Sequence, residues 1–174
     1  ELQRLSRMVS DMLFFAFTEQ GSDLLHKEQF SAAKEVQALL DFYEVVAEEK
    51  DIHLSSQGEG SLFCDRLMFR RALSNLLSNA LRHTPTNGDV VVDISATEQM
   101  TQITVINTGS AIDPTVIHRL FDRFFRADPA RTHLTSDSTG LGLSITKAIV
   151  DAHSGTISVQ SDSTSTRFSI TFPH

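Results

Sequence analysis

Arg70-Arg71-Ala72-Leu73-Ser74-Asn75-Leu76-Leu77-Ser78-Asn79-Ala80-Leu81-Arg82-His83-Thr84-Pro85 interleaves leucines with amides and cations in a pattern that helical periodicity resolves. At about 100° per residue, Asn79 lies about 40° from Asn75, Arg82 about 20° the other way and His83 about 80°. Four polar groups therefore share one face, and Leu73, Leu76, Leu77, Ala80 and Leu81 occupy the rest. Asparagine is a mediocre helix former whose amide needs partners when buried. Two on one face read either as a polar stripe at a solvent boundary or as groups that meet a ligand. Asp65 is placed to cap this helix. Pro85 ends it, because the residue before a proline is pushed out of the helical region.

Working outward, the segments Asp89 to Ala96 and Gln102 to Ile106 alternate apolar and polar residues and predict an antiparallel pair. A short helix is expected after Pro114, a polar stretch from Ala127 to Thr139, a helix from about Gly140 to His153, and strands near Thr156 to Gln160 and Arg167 to Phe172. Upstream, Val36, Leu39, Leu40, Tyr43, Val46 and Ala47 mark an amphipathic helix between Ser31 and about Lys50. Ile52 to Ser55 and Leu62 to Cys64, flanking Gln57-Gly58-Glu59-Gly60, read as a strand pair. Leu2, Leu5, Val9, Met12 and Ala16 recur at steps of three and four. They form a seam suited to partner helices or to the surface of the chain's own domain, and the first of these is preferred. Glu19-Gln20-Gly21-Ser22-Asp23 ends that helix. The expected division is residues 1–20 as a helical stub, 21–29 as a connector and 30–174 as a folded unit. Strand pairs alternating with one-faced helices predict an α/β (α+β) two-layer sandwich, its sheet mixed but mostly antiparallel.

Composition narrows the function. The 174 residues, 40% hydrophobic, suffice for one cored domain. With 15 Lys+Arg against 22 Asp+Glu the net charge is −7, which repels phosphate backbones and argues against nucleic acid as a partner. The single cysteine, Cys64, allows no internal disulfide and fits a cytoplasmic setting. No apolar run approaches the roughly 20 residues that cross a bilayer. A start at Glu1 reads as a piece of a longer protein. The seven histidines and Cys64 show no paired metal-ligand spacing.

Three further segments carry candidate chemistry. In Val105-Ile106-Asn107-Thr108-Gly109-Ser110-Ala111-Ile112 an apolar strand ends at an amide followed by a glycine. Asn107 could exchange hydrogen bonds with an exocyclic amine, and Gly109 would admit a flat ring; the same residues also make an ordinary turn. In Ser138-Thr139-Gly140-Leu141-Gly142-Leu143-Ser144-Ile145 glycines open a helix, leaving N–H groups for an anion or simply permitting close packing. Leu120-Phe121-Asp122-Arg123-Phe124-Phe125-Arg126 reads as a helix end with core phenylalanines, or as a lid hinge that offers Arg126 to a phosphate.

Together and in this order, the four segments resemble the catalytic, ATP-binding domain of sensor histidine kinases, of the Bergerat-fold ATPase group. Asn75 to Thr84 looks like the N box, Val105 to Ile112 the first glycine box, Leu120 to Arg126 the F box and Thr139 to Ile145 the second glycine box. Glu1 to Leu13 is similar to the end of the second dimerisation helix of such kinases. That stretch, with Leu81 to Pro85 and Phe121 to Arg131, looks most like the heavy-metal (copper or silver) sensor branch.

The resemblance implies ATP and Mg²⁺ as cofactors and transfer of the γ-phosphoryl group to a histidine. Asn79 would hold Mg²⁺, assisted by Asn75, and with Arg126 these would be the catalytic residues. Related ATPases that hydrolyse ATP carry a glutamate base at the Asn75 position, and an amide cannot take that proton. Arg82 and His83 would face the phosphates and the ribose or adenine edge, and Asn107 the adenine amine. Gly109, Ile112 and Phe121 would complete the nucleotide site, with Thr139, Gly140, Leu141, Gly142 and Leu143 about the phosphates. It further implies a homodimer through the chain's own dimerisation helix, a response regulator as partner, and a bacterial inner membrane reached only through segments outside this chain. The sequence departs from the family at Asn107, where an aspartate is usual, and at Ser110-Ala111, Ser138, Ser163 and Ser165, where glycines are common. None of His26, His53, His83, His118, His133, His153 or His174 has the context of a phosphoacceptor. An alternative is a degenerate nucleotide-binding or non-catalytic dimerisation scaffold. A chaperone- or topoisomerase-type ATPase is disfavoured by Asn75.

Overall fold

The computed structural model describes residues 2–19, 24–127 and 140–174. The order is α1 (Leu2–Thr18), β1 (Lys27–Ser31), α2 (Ala32–Glu49), β2 (His53–Gly58), β3 (Ser61–Asp65), α3 (Arg66–His83), β4 (Asp89–Ala96), β5 (Met100–Thr108), a 3₁₀ turn (Ile117–Arg119), α4 (Gly142–Ala152), β6 (Ile157–Ser161) and β7 (Ser165–Pro173). Five strands form one sheet in the order β2-β4-β5-β7-β6. Only the β2–β4 pairing is parallel. The expected mixed, mostly antiparallel sheet against helices is what the chain forms.

α3 is the central helix because its caps and its apolar face agree. Asp65 accepts from the Met68 N–H at 3.1 Å at the start, and the Thr84 hydroxyl donates to the Ala80 carbonyl at 2.7 Å before Pro85. Phe69, Ala72, Leu73, Leu76 and Leu77 are fully buried against Val90, Val92, Ile103 and Ile170 of the sheet. Each such leucine contributes roughly 1.5–3 kcal/mol of burial. The Phe69 ring lies 5.8 Å from both Phe30 and Phe172, joining the small and large sheets. Buried Glu35 of α2 pairs with Arg70 at 2.7 Å and Arg66 at 3.1 Å, fixing α2 beside α3. Burial beside Asp65 pushes the Cys64 thiol up to about 12, so it stays neutral in the core.

Two expectations are corrected here. β2 and β3 do not pair with each other: β2 runs parallel to β4, while β3 pairs antiparallel with β1. The two residues between them act as a crossing, not a hairpin. Gly58 has φ +86 and lies so close to the Ile94 carbonyl that an added Cβ would sit 2.0 Å from its oxygen, so the chain leaves the large sheet at that point. β1 is the second correction, since it occupies part of the segment 21–29 expected as a connector. Its pattern is nearly invisible to periodicity, because only Phe30 of Lys27–Ser31 is buried.

The α1 seam faces outward, with Leu2, Leu5, Val9 and Met12 each more than half exposed. A different face, carrying Phe15, packs on the domain. Among the described residues no helix is long and apolar enough to cross a membrane.

Candidate functional site

The polar face of α3 opens onto a cavity of about 810 Å³. Ser74, Asn75, Ser78, Asn79, Arg82 and His83 line one wall, in the succession the helix repeat dictates. Asn107, Gly109 and Ile112 line a second, where β5 ends. Gly140, Gly142 and Leu143 form a third at the start of α4, and Phe125 and Arg126 a fourth. Thr166 and Phe168 of β7 also reach it. A volume of this size lies within the range of sites that enclose a small-molecule ligand.

The convergence has an explicit bond behind it. Asn75 Nδ2 donates to the Gly142 carbonyl at 3.1 Å, clasping α3 to the first residue of α4. The N-cap position of α4 is held by Leu141, whose side chain makes no capping bond, and the helix opens on Gly142 at the cavity wall, where a helix N-terminus presents N–H donors. Gly140 sits at φ +75, and an added Cβ would lie 3.0 Å from the Phe124 backbone. Phe124, itself at φ 63, donates its N–H to the Gly140 carbonyl at 3.0 Å. That contact holds the segment bearing Arg126 beside the glycines.

The ends of the cavity differ. At one end Gly109 stands against the His83 carbonyl and Asn107, which is buried and donates from Nδ2 to the Thr108 carbonyl at 3.1 Å. At the other, Tyr43 of α2 bonds the hydroxyl of Ser74, next to Asn75. About 12 Å of α3 separates Asn75 from His83. Asp113, also on the lining, receives the backbone N–H and hydroxyl of Thr115 at 2.9 and 2.8 Å. These bonds hold its carboxyl below the usual range.

Not every residue implied by the resemblance lines this space. Phe121 packs edge-on against Phe168, with ring centroids 6.2 Å apart, and belongs to the core margin. Leu141 is fully buried and anchors α4. Thr139, Ser138 and the polar stretch through 128–139 lie outside the described residues. The site also has contributors that the four boxes do not include, among them Arg7 and Asp11 of α1, Tyr43, Ser74 and Asp113, and one within the N box, Ser78, that was given no role. Ser74 and Ser78 were within reach of the helix repeat, one residue before each asparagine. Arg7 and Asp11 depend on how α1 docks, which no local pattern encodes.

A sheet backed by helices, with a ligand-sized cavity between a carboxamide-bearing helix and a glycine-opened helix, defines a two-layer α/β sandwich with a small-molecule site. The chain belongs to the histidine kinase-, DNA gyrase B- and HSP90-like ATPase family, whose model matches residues 64–174. Sensor histidine kinase CusS of Escherichia coli (strain K12) is 45% identical over 174 residues, covering 99% of this chain and 36% of the relative. Sensor protein CzcS of Cupriavidus metallidurans is 38% identical over 176 residues, covering 99% and 36%. Among solved structures, full-length ShkA in complex with AMPPNP has a TM-score of 0.82 at 23% identity, over 97% of this chain and 35% of that one. Histidine kinase ThkA in complex with response regulator protein TrrA has a TM-score of 0.79 at 22% identity, over 99% and 48%. The structures establish a common fold, and the sequence relatives bear out the resemblance to sensor histidine kinases. The chain spans 36% of the length of the CusS sequence.

Proposed function

We propose that this chain binds Mg-ATP in the cavity and acts as the catalytic part of a protein-histidine kinase, donating the γ-phosphoryl group to a histidine on a dimerisation helix outside the chain. The observation that carries the reading is the Asn75–Gly142 bond, which brings the carboxamide face and the glycine-opened helix to one space. The donor set fits a hard cation. Asn79 offers a neutral oxygen on the lining, and among the described residues no three His, Cys, Asp or Glu side chains cluster to hold a metal by themselves. A magnesium ion would thus take most of its ligands from phosphate and water, with Asn79, and Asn75 beside it, completing the shell. Bound there, it would offset phosphate charge.

The chain's own groups supply the rest. Asn107, its Nδ2 engaged by Thr108, presents an oxygen to accept from the adenine amine, as an aspartate would without the charge. Gly109 lets the ring approach, and Ile112 flanks it. N–H groups about Gly140 and Gly142 donate to phosphate oxygens. Arg82 and His83 lie on the α3 wall toward the Asn107 end, and Arg126 would neutralise charge on the transferring group. Asn75 cannot accept a proton from water, so the site favours transfer over hydrolysis. On this reading the full-length protein is a sensor kinase that dimerises through its own helices, hands the phosphoryl group to a response regulator and reaches a bacterial inner membrane through other segments, with a heavy metal as stimulus; the sensor histidine kinase relatives and the ThkA–TrrA complex support its kinase and response-regulator parts. An Asn79→Ala chain should lose phosphorylation of a supplied acceptor-helix fragment by Mg-ATP. A parental rate in that assay would overturn the assignment, and a flat calorimetric trace of the parent with Mg-AMPPNP would favour the scaffold reading.

A further inference from the structure

α1 forms part of the cavity. Arg7 and Asp11, one helical turn apart on α1, both line it. Two arginine clamps fix α1 in this place. Arg71 of α3, one turn before Asn75, reaches Asp11 at 2.6 Å and lies over the Phe14 ring at 4.2 Å. Arg123, three residues before Arg126, reaches Glu19 at 2.9 Å and lies over the Phe15 ring at 4.1 Å. Asp11 is thereby paired with Arg71, and the Arg7 guanidinium also stands on the lining. Because Arg71 precedes Asn75 on α3, the Asp11 clamp lies toward the Asn75 end of the cavity. That is the end remote from Asn107 and His83.

We propose that Arg7 is a nucleotide-binding residue contributed by the N-terminal helix, its guanidinium meeting the terminal phosphate of a nucleoside triphosphate bound in the cavity. Arg71 and Arg123 are positioning residues that keep α1 against the site. The proposal rests on the nucleotide reading above and adds to it a dependence on the third phosphate. An arginine fork matches phosphate oxygens, and such charge-assisted bonds are among the stronger ones even where solvent enters. By linkage, the triphosphate and the docked helix stabilise one another, whereas a diphosphate gains nothing from Arg7.

Calorimetric titration of the chain with Mg-AMPPNP and with Mg-ADP tests this. Arg7 is exposed on the helix surface, so Arg7→Ala should keep its far-UV spectrum. The variant should bind Mg-AMPPNP roughly tenfold more weakly and Mg-ADP within about twofold of the parent. Arg7→Lys should recover part of the loss. Arg123→Ala should weaken Mg-AMPPNP as well, and the Arg7→Ala/Arg123→Ala pair should be no worse than Arg7→Ala alone, since both act through one contact. Parental affinity of Arg7→Ala for Mg-AMPPNP, or an equal loss for both nucleotides, would overturn the assignment of Arg7 while leaving the nucleotide site intact. A parent chain that binds neither nucleotide would instead overturn the site itself.

Discussion

His153→Ala probes the joint between the end of α4 and the start of α3. The ring is buried at 3% exposure, and its Nε2 accepts from the Asp65 N–H at 3.0 Å while Nδ1 donates to the Ile149 carbonyl at 2.7 Å. This pairing selects the neutral tautomer protonated on Nδ1. The ring also stands edge-on to Phe172, 5.5 Å between centroids. Truncation leaves the Ile149 carbonyl with a partner, because the backbone N–H of residue 153 also bonds it at 3.2 Å. The Asp65 N–H is left without one, which costs about 1–3 kcal/mol, and lost packing of the ring adds about 1–2 kcal/mol. A total near 3 kcal/mol corresponds to about 6–12 °C in Tm for a chain of this size.

The pH dependence has a definite sign. Burial lowers the His153 pKa in the fold, opposed by the Ile149 carbonyl and assisted by the Lys27 charge. In the unfolded chain imidazole takes its proton near about 6.5. The contribution of His153 is thus fully present above about pH 6.5 and is lost as the pH falls toward the depressed folded value. Thermal melts followed by circular dichroism should show a smaller gap between parent and variant at pH 5.5 than at pH 7.5. A gap that is constant with pH, or under about 2 °C at pH 7.5, would refute the reasoning.

Asn75→Asp is nearly isosteric but replaces the donor to the Gly142 carbonyl with a second acceptor. It should destabilise the chain by about 1–3 kcal/mol in urea denaturation and weaken Mg-AMPPNP in the same titration, and an unchanged midpoint would mean the bond does not hold α4 to α3. Gly140→Ala places a side chain at φ +75 with its Cβ 3.0 Å from Phe124. The left-handed backbone alone costs roughly 1–2 kcal/mol, so a Tm lower by several degrees should accompany weaker nucleotide binding, and an unshifted melt would show the loop to be freely adaptable.

How far the sequence discloses this molecule varies with the range of the interaction involved. α3 was legible at both ends because its caps, Asp65 and Thr84-Pro85, are local, and its polar face follows from the helix repeat alone. β4 and β5 alternate cleanly, Val90, Val92 and Ile94 lying beside Val105 and Ile103 on one buried face of the sheet. β1 and the partners of β3 were not legible, since a strand with one buried residue carries no pattern and its pairing with β3 spans more than thirty residues. In the site, Asn75, Asn79, Arg82, His83, Asn107, Gly109, Ile112, Arg126, Gly140, Gly142 and Leu143 meet at the cavity as the four segments implied. Phe121 and Leu141 do not, because an apolar side chain in a motif is as easily a core anchor as a ligand contact.

The departures from the family pattern have physical counterparts in the structure. Where glycines are common in the last hairpin, Asp162 receives the Thr164 and Ser165 N–H groups at 2.8 and 2.9 Å and the Thr164 hydroxyl at 2.8 Å, closing the turn with no residue at positive φ. The carbonyl of Thr164 in that turn accepts from the Gly109 N–H at 3.1 Å, so the substituted hairpin supports the loop behind Asn107. Asn75 follows the same logic. A carboxylate there could serve as a base but could not donate to Gly142, and the α3–α4 clasp would be lost. On the proposed reading the amide would do two things at once: it would withhold the base that hydrolysis needs, while its bond to Gly142 fixes the glycine-opened helix beside the cavity.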